Sequence, residues 1–535
     1  MLDRRNLLKL ALAVQALAIV PARAGNTSRL QLGAPEPFSY DGLKEHARSL
    51  AAKPYREPPR PDPKIVQAID YDAYGQLKYK TDFALFGDGE PGAFPVTFMH
   101  VGQYFPKSVR MYALEGAGDL AREVVYDPDY FTIPKDNVAA RLPPHPSAFA
   151  GFWVREAKGS GESWRTVEPW VTFLGASYFR AKGELGQVGA SARGIALTPG
   201  GNGPEEFPDF VAFWFLPAAS ADGPMTVYAL LDGPSLAGAY RFLLRRTKGV
   251  VMDIETTLFL RQPVDRLGLA PLTSMFWYSE TIKQTSIDWR PEVHDSDGLA
   301  MWTGTGERIW RPLNNPAHTT ISSFIDSHPR GFGLLQRDRA FDHYLDGVRY
   351  DLRPSMWVEP LADWGSGAVE LVELPTDDEI NDNIVAYWCP AKPARAGDRI
   401  ELSYRLHWLA DEPYPTPLGR CIATRLGRGG QPGQPRPDGV RKFMVEFLGA
   451  PLARLPYGVK PEPVLWSSRG KFSYVFMEAV PDDVPGHWRA QFDLAVDGND
   501  PVEMRLFLKA GNEVLTETWL YQYHPFRSDA RPVGY

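Results

Sequence analysis

Ile400-Glu401-Leu402-Ser403-Tyr404-Arg405-Leu406-His407-Trp408 alternates apolar and polar residues without a break. Successive side chains of a strand point to opposite faces, so this stretch predicts a strand with one dry and one wet side. Shorter patterns of a similar kind recur at Met225–Leu231, Met252–Leu260, Val369–Leu374, Phe472–Val480 and Val502–Leu508. Turn signals stand between the strands, as in Gly200-Gly201-Asn202-Gly203, Asp222-Gly223-Pro224 and Ala510-Gly511-Asn512. A helical period is clear only in Asp41–Ala52, where Leu43, Ala47 and Leu50 share a face. The 48 glycines, 49 prolines and 12% aromatic residues agree with many short strands joined by turns. The expected class is all-β.

One boundary is legible. After Trp408 the chain passes through Asp411–Pro417 and then a Gly-, Pro-, Arg- and Gln-rich stretch, Gly427–Gly439, before strand patterns resume at Val440. A polar Pro/Gly-rich stretch between strand-rich blocks reads as a linker or a long loop. The expected division is a large body at 25–410, a linker or lid at 411–439 and a terminal block at 440–535. The last has the size of an immunoglobulin-like sandwich, about 100 residues, without the paired cysteines of antibody domains.

Residues 1–24 read as an export signal. Arg4-Arg5-Asn6-Leu7-Leu8-Lys9 precedes an apolar run from Leu10 to Val20, and Ala22-Arg23-Ala24 offers a small-x-small cleavage site. The paired arginines resemble a twin-arginine signal, which carries folded proteins to the periplasm. The apolar run is too short to span a bilayer, and no stable membrane insertion is expected. The whole chain carries a formal charge of −7 and the signal is basic, so the remaining body is acidic. Acidity argues against a general nucleic-acid binder, whose affinity rests on neutralising phosphates, but does not oppose a neutral sugar. With only Cys389 and Cys421, this is no disulfide scaffold.

Walker, dinucleotide-binding and zinc-protease motifs are absent, and ten scattered histidines make no metal site. Gly189-Ala190-Ser191-Ala192-Arg193-Gly194 imitates a nucleophile elbow with its second glycine one place late, and reads as a turn between strands. Polar and aromatic residues concentrate instead between Ser274 and Trp388. Arg290-Pro291-Glu292-Val293-His294-Asp295-Ser296-Asp297-Gly298 is one carboxylate-rich run, and Glu373-Leu374-Pro375-Thr376-Asp377-Asp378-Glu379-Ile380-Asn381-Asp382-Asn383 is another, between two strands. Two carboxylate-rich loops with Trp, Tyr, Arg and Asn nearby suit a carbohydrate enzyme: aromatic faces stack on sugars, one carboxylic acid protonates the leaving oxygen and one carboxylate activates water. The same residue types also build solvated acidic turns, and the same aromatics also fill cores.

These segments resemble the osmoregulated periplasmic glucan biosynthesis proteins G and D. The matching runs are Ser177-Tyr178-Phe179-Arg180-Ala181-Lys182-Gly183, Ala270-Pro271-Leu272-Thr273-Ser274-Met275-Phe276, His294–Gly298, Trp310–Pro316, Gly331–Arg337 and Asn381-Asp382-Asn383-Ile384-Val385-Ala386-Tyr387-Trp388. The likeness extends from about Phe38 to Phe526, and the twin-arginine-like signal favours the D type. It implies a large galactose mutarotase-like β-sandwich joined to a C-terminal immunoglobulin-like β-sandwich, needing no cofactor and no metal. It further implies a periplasmic, anomer-inverting endo-β-1,2-glucanase acting on linear β-1,2-glucan. Alternatives are an inverting transglycosylase that cyclises the chain through an α-1,6 link, a non-catalytic glucan-binding or assembly factor, and, by fold analogy alone, a mutarotase- or lyase-like enzyme.

Carried over by position, the general acid falls on Asp382 and the base on Asp295, acting through a relay of water or sugar hydroxyls. Glu379 and Tyr350 match positions near the cleavage point, and His294 adjoins the base. An endo-acting enzyme needs a long groove, expected to be lined by several of Tyr178, Arg180, Trp310, Arg311, Tyr350, Trp357 and Trp388, with the others in the core. In the family a long loop closes over the cleft, sometimes from the partner of a homodimer. Its counterpart, Arg420–Gly439, contains no tryptophan, so closure is expected to differ.

Overall fold

The computed structural model describes residues 30–87, 94–156, 163–201, 203–220, 222–283 and 286–525. The signal-like residues 1–24 lie outside them, and no described helix is long and apolar enough to cross a membrane. The described chain is nearly all β. The alternating stretch forms the strand Arg399–Leu409, with Leu402, Tyr404, Leu406 and Trp408 buried. On the wetter face His407 is buried as well, its Nε2 3.0 Å from Glu359. Arg399–Leu409 pairs with Val250–Leu260 on one side and Ser355–Pro360 on the other, in the middle of the largest sheet.

A second large sheet runs Thr320–Ser327, Ser366–Glu373, Ile384–Pro390, Leu267–Ser274, Ser191–Arg193, Tyr178–Ala181, Val171–Leu174, Phe149–Val154 and Val96–His100. Aromatic side chains fill the space between the two sheets. Phe152 and Phe173 of one meet Phe213 and Phe242 of the other edge-to-face, at 4.9 and 5.2 Å between ring centroids. Such pairs add to what burial alone contributes. The helix Tyr40–Ala51 covers the outside of the larger sheet, capped by Ser39 and burying Leu43 and Ala47.

The C-terminal part is a smaller sandwich. Its outer layer is the antiparallel sheet Arg420–Arg428, Val440–Leu448, His487–Ala495 and Lys471–Ala479. Its inner layer is Glu462–Ser467, Val502–Ala510 and Thr518–Tyr523, and Phe443 of the outer layer meets Tyr523 of the inner one edge-to-face at 5.4 Å. The inner layer is not a separate sheet. Thr518–Tyr523 pairs in parallel with Arg308–Pro312, so the large sheet continues through both sandwiches.

The expected linker is shorter than its composition implied. Arg420–Arg428 is a strand hydrogen-bonded to Val440–Leu448, and only the turn at Gly429–Gly439 lies between them. A register shift between Cys421 and Ala423 breaks the period of two, which hid the strand. The pseudo-elbow differs too, because Ser191–Arg193 is itself a short strand rather than a turn. Cys389 and Cys421 are both free thiols.

Candidate active site

Four neighbouring strands of the second sheet bring the site together. Ser274 pairs with Ile384, Thr273 with Ser191, and Arg193 with Tyr178. The chain entering Ile384 carries Asp382, and the chain leaving Ser274 carries Met275 and Phe276. Asn383 fastens these two segments. Its Oδ1 accepts the Phe276 N–H at 2.8 Å, and its Nδ2 donates to the carbonyls of Phe276 and Leu374, both at 2.9 Å. On the other side of the same segment, the Asp295 N–H donates to the Met275 carbonyl at 2.9 Å. The two expected carboxylates therefore flank one short stretch, Met275-Phe276. Asn315 fixes the loop before Asp382: its Nδ2 donates to the carbonyls of Thr376 and Trp277, and its Oδ1 accepts the Thr376 N–H.

Asp382 and Asn381 line a cavity of about 710 Å³ with Tyr178, Arg193, Glu205 and Phe207. Arg193 organises this wall. It donates to Thr273 Oγ1 at 2.8 Å and to Glu205 at 2.7 Å, and its guanidinium lies 4.8 Å from the Tyr178 ring and 5.3 Å from Phe207. Burial raises the Tyr178 phenol well above its ordinary range, Arg193 opposes the rise, and the charges of Asp382 and Glu205 add to it. Tyr178 therefore stays protonated as a hydroxyl donor. Burial likewise pushes the Glu205 carboxyl up against the pull of Arg193. Farther along the wall Lys107 pairs with Asp209 at 2.5 Å.

Asp295 lies beneath the surface, fully buried, with Arg353 Nε 3.4 Å from its Oδ1. The Arg353 guanidinium also faces the Tyr350 ring at 5.4 Å and donates to the Val188 carbonyl. The Tyr350 hydroxyl donates to Glu379 Oε2 at 2.8 Å, and Arg290 reaches the same oxygen at 2.5 Å. Arg290 further pairs with Asp288 at 2.9 Å and Asp346 at 2.7 Å, so one cation ties three carboxylates from three loops. Burial opposes its charge, yet those hydrogen bonds raise its pKa further. His294 sits in the same layer, its Nε2 2.9 Å from Glu292 and its Nδ1 3.0 Å from Gln336. Burial alone would lower its pKa, and the bond to Glu292 reverses the sign. Among the described residues the metal-ligand atoms of Glu292, Asp338 and His343 lie within 4.8 Å of one another. All three are already engaged, His343 with Asp338 at 2.5 Å and Glu292 with His294.

The expected groove residues divide. Tyr178 lines the cavity, and Arg180, two residues along the strand, shares its face and is half-buried. Tyr350 is buried but reaches Glu379. Trp310, Arg311, Trp357 and Trp388 are core residues with 4%, 1%, 1% and 0% of their surface exposed, which leaves no face for a sugar. Trp310 and Trp357 pack into one cluster with Phe443, Phe492 and Trp519, filling the seam between the sandwiches. Arg311 pairs with buried Glu373 at 3.1 Å, whose other oxygen accepts the Asn314 N–H at 2.6 Å. Arg193, Glu205 and Phe207 were missed in the sequence. Arg193 stood in the pseudo-elbow, and nothing in the spacing pointed to the other two.

Residues 38–523 match the family model described as periplasmic glucan biosynthesis protein, MdoG. The chain is 60% identical over 542 residues to glucans biosynthesis protein D 2 of Ralstonia nicotianae, covering all of both chains. It is 44% identical over 541 residues to glucans biosynthesis protein D of Xanthomonas oryzae pv. oryzae, covering 99% of each. It is equally similar, 44% over 535 residues and 98% of each, to glucans biosynthesis protein D of Stenotrophomonas maltophilia.

Proposed function

From the premise that the chain belongs to the MdoG family of periplasmic glucan biosynthesis proteins, we propose that it is an anomer-inverting endo-β-1,2-glucanase shaping the glucan backbone in the periplasm. One observation carries this reading: Asp382 stands in a cavity wall, and Asn383 and the Met275-Phe276 segment tie its loop to the loop of Asp295. Asp382 is the general acid, giving its proton to the departing glycosidic oxygen as the bond to the anomeric carbon breaks. A water attacks the opposite face of that carbon, and its proton passes to Asp295. Because Asp295 is fully buried, the proton travels through an intervening hydroxyl or water, and Arg353 holds a cation 3.4 Å from its Oδ1. Tyr178 and Arg193 supply hydrogen bonds and an aromatic edge to the sugar in the cavity, while Glu379 and Tyr350 brace the acidic loop.

The test is incubation of the purified protein with linear β-1,2-glucan. Shorter chains with new reducing ends are the expected products. Products without reducing ends would instead mean transfer onto the chain's own 6-hydroxyl, closing an α-1,6 ring. Unsaturated products would mean a lyase, and unchanged glucan that still binds would mean an assembly factor.

A further inference from the structure

A second cavity, of about 1330 Å³, lies across the acidic loop from the first. Pro375 lines both. Thr319 and Asp382 face the first cavity, whereas His318, Thr320, Thr376 and Asp377 face the second. The loop is thus a shared partition. The two sandwiches both contribute to the second cavity, with Trp277 and Asn315 from the large one and Leu426, Tyr523 and His524 from the C-terminal one.

We propose that this second cavity holds a further stretch of the same neutral glucan chain, so that the C-terminal sandwich takes part in gripping the polymer. The inference rests on the functional reading above and deepens it. A space of 710 Å³ suits a ligand of drug-like size, and a polymer passing Asp382 must continue into some neighbouring space. The second wall has the chemistry for a neutral polyol. Trp277 is half-buried and offers an aromatic ring. His524 Nε2 is shielded from solvent and has no hydrogen-bond partner among the described residues. Burial, then the charge of Arg311, lowers the His524 pKa to about 4, so the imidazole is neutral near pH 7 and can exchange a hydrogen bond with a hydroxyl. Asp377 and Asp500 in the same wall disfavour an anionic ligand.

The experiment compares dissociation constants for long linear β-1,2-glucan and for short oligomers, by calorimetry on the full chain. Unaltered protein is expected to prefer the long glucan. Trp277→Phe and His524→Phe, which keep an aromatic ring in place, should each reduce that preference by up to about tenfold, the worth of one good hydrogen bond or ring contact. Melting curves confirm that the variants remain folded. The same preference in both folded variants, or no preference in the unaltered protein, overturns the second site while leaving the functional reading intact. Failure of the unaltered protein to bind any β-1,2-glucan overturns the functional reading itself.

Discussion

Asn383 makes with Phe276 the pair of hydrogen bonds that a neighbouring strand would make, accepting its N–H and donating to its carbonyl, but from a side chain. This substitute pairing lets the chain bear Asp382 out of the sheet while its root stays in register. Asn383→Asp keeps the shape and the acceptor, loses both donors, and sets a carboxylate against the carbonyls of Phe276 and Leu374. A loss of about 1–3 kcal/mol in unfolding free energy is expected, from leaving buried polar groups unsatisfied. Denaturant titration measures it, and a fall in glucan turnover should accompany it. Unchanged stability would show that the clamp contributes little.

Asp382→Asn separates catalysis from binding. The amide is close in size and cannot deliver a proton, so turnover should fall by about two to four orders of magnitude. Melting temperature and glucan binding should stay near those of the unaltered protein, since the substitution is in a half-exposed loop. Product release from linear β-1,2-glucan, measured beside both, decides the matter, and near-normal turnover would remove Asp382 from the mechanism.

Glu280 makes stability depend on pH. It lies at the seam, accepts the Thr424 N–H at 3.2 Å, and has a pKa pushed up to about 8 by burial and then by the charge of Glu292. The unfolded carboxyl titrates near 4.5, so between about 4.5 and 8 the folded protein holds the extra proton. Stability contributed by this group therefore declines as pH rises through that window. Glu280→Gln keeps the acceptor and cannot ionise, so melting temperatures at pH 5 and pH 8 should lie closer together in the variant. An equal gap in both proteins would assign the dependence to another group.

Arg337 holds the two sandwiches together. It binds both oxygens of Glu517, at 2.5 and 3.1 Å, lies 3.6 Å from Glu412, and stacks 3.8 Å from the Trp310 ring. Arg337→Met would leave Glu517, itself 2% exposed, without its main cation. Breaking one side of a buried pair costs about 3–5 kcal/mol, a large fraction of a typical domain's stability. Chemical denaturation should show that loss. The double variant Arg337→Met with Glu517→Gln should recover part of it, because no unpaired buried charge remains.

What the sequence disclosed follows from how locally each feature is determined. Arg399–Leu409 and Val502–Ala510 announce themselves because period-2 burial is written within each strand. The helix is visible for the same reason, its Leu43 and Ala47 spaced one turn apart. Trp310 and Trp357 could not be assigned that way. A tryptophan beside arginines and asparagines reads as a sugar platform until the C-terminal sandwich is placed over it, and that covering is long-range. Arg193 and Glu205 meet only because Ser191–Arg193 happens to pair with Tyr178–Ala181 beside the loop at Glu205. Only family resemblance singles out Asp382 and Asp295, since an acidic turn and an acid–base pair have the same composition.

The parallel pairing of Thr518–Tyr523 onto Arg308–Pro312 bears on the order in which the molecule can be completed. The Thr518 hydroxyl donates to Glu307 Oε1 at 2.5 Å across 211 positions of chain. During synthesis from the N-terminus, the open edge at Arg308–Pro312 has no partner until nearly the last strand has been made. Contacts of such long separation form slowly, and an unpaired edge is a place where chains stick to one another. A product truncated before Thr518 would keep that edge open and lose the cover over Trp310. The two sandwiches are therefore not modules that can be separated by cutting the chain between them, and the edge at Arg308–Pro312 is covered only once Thr518–Tyr523 is in place.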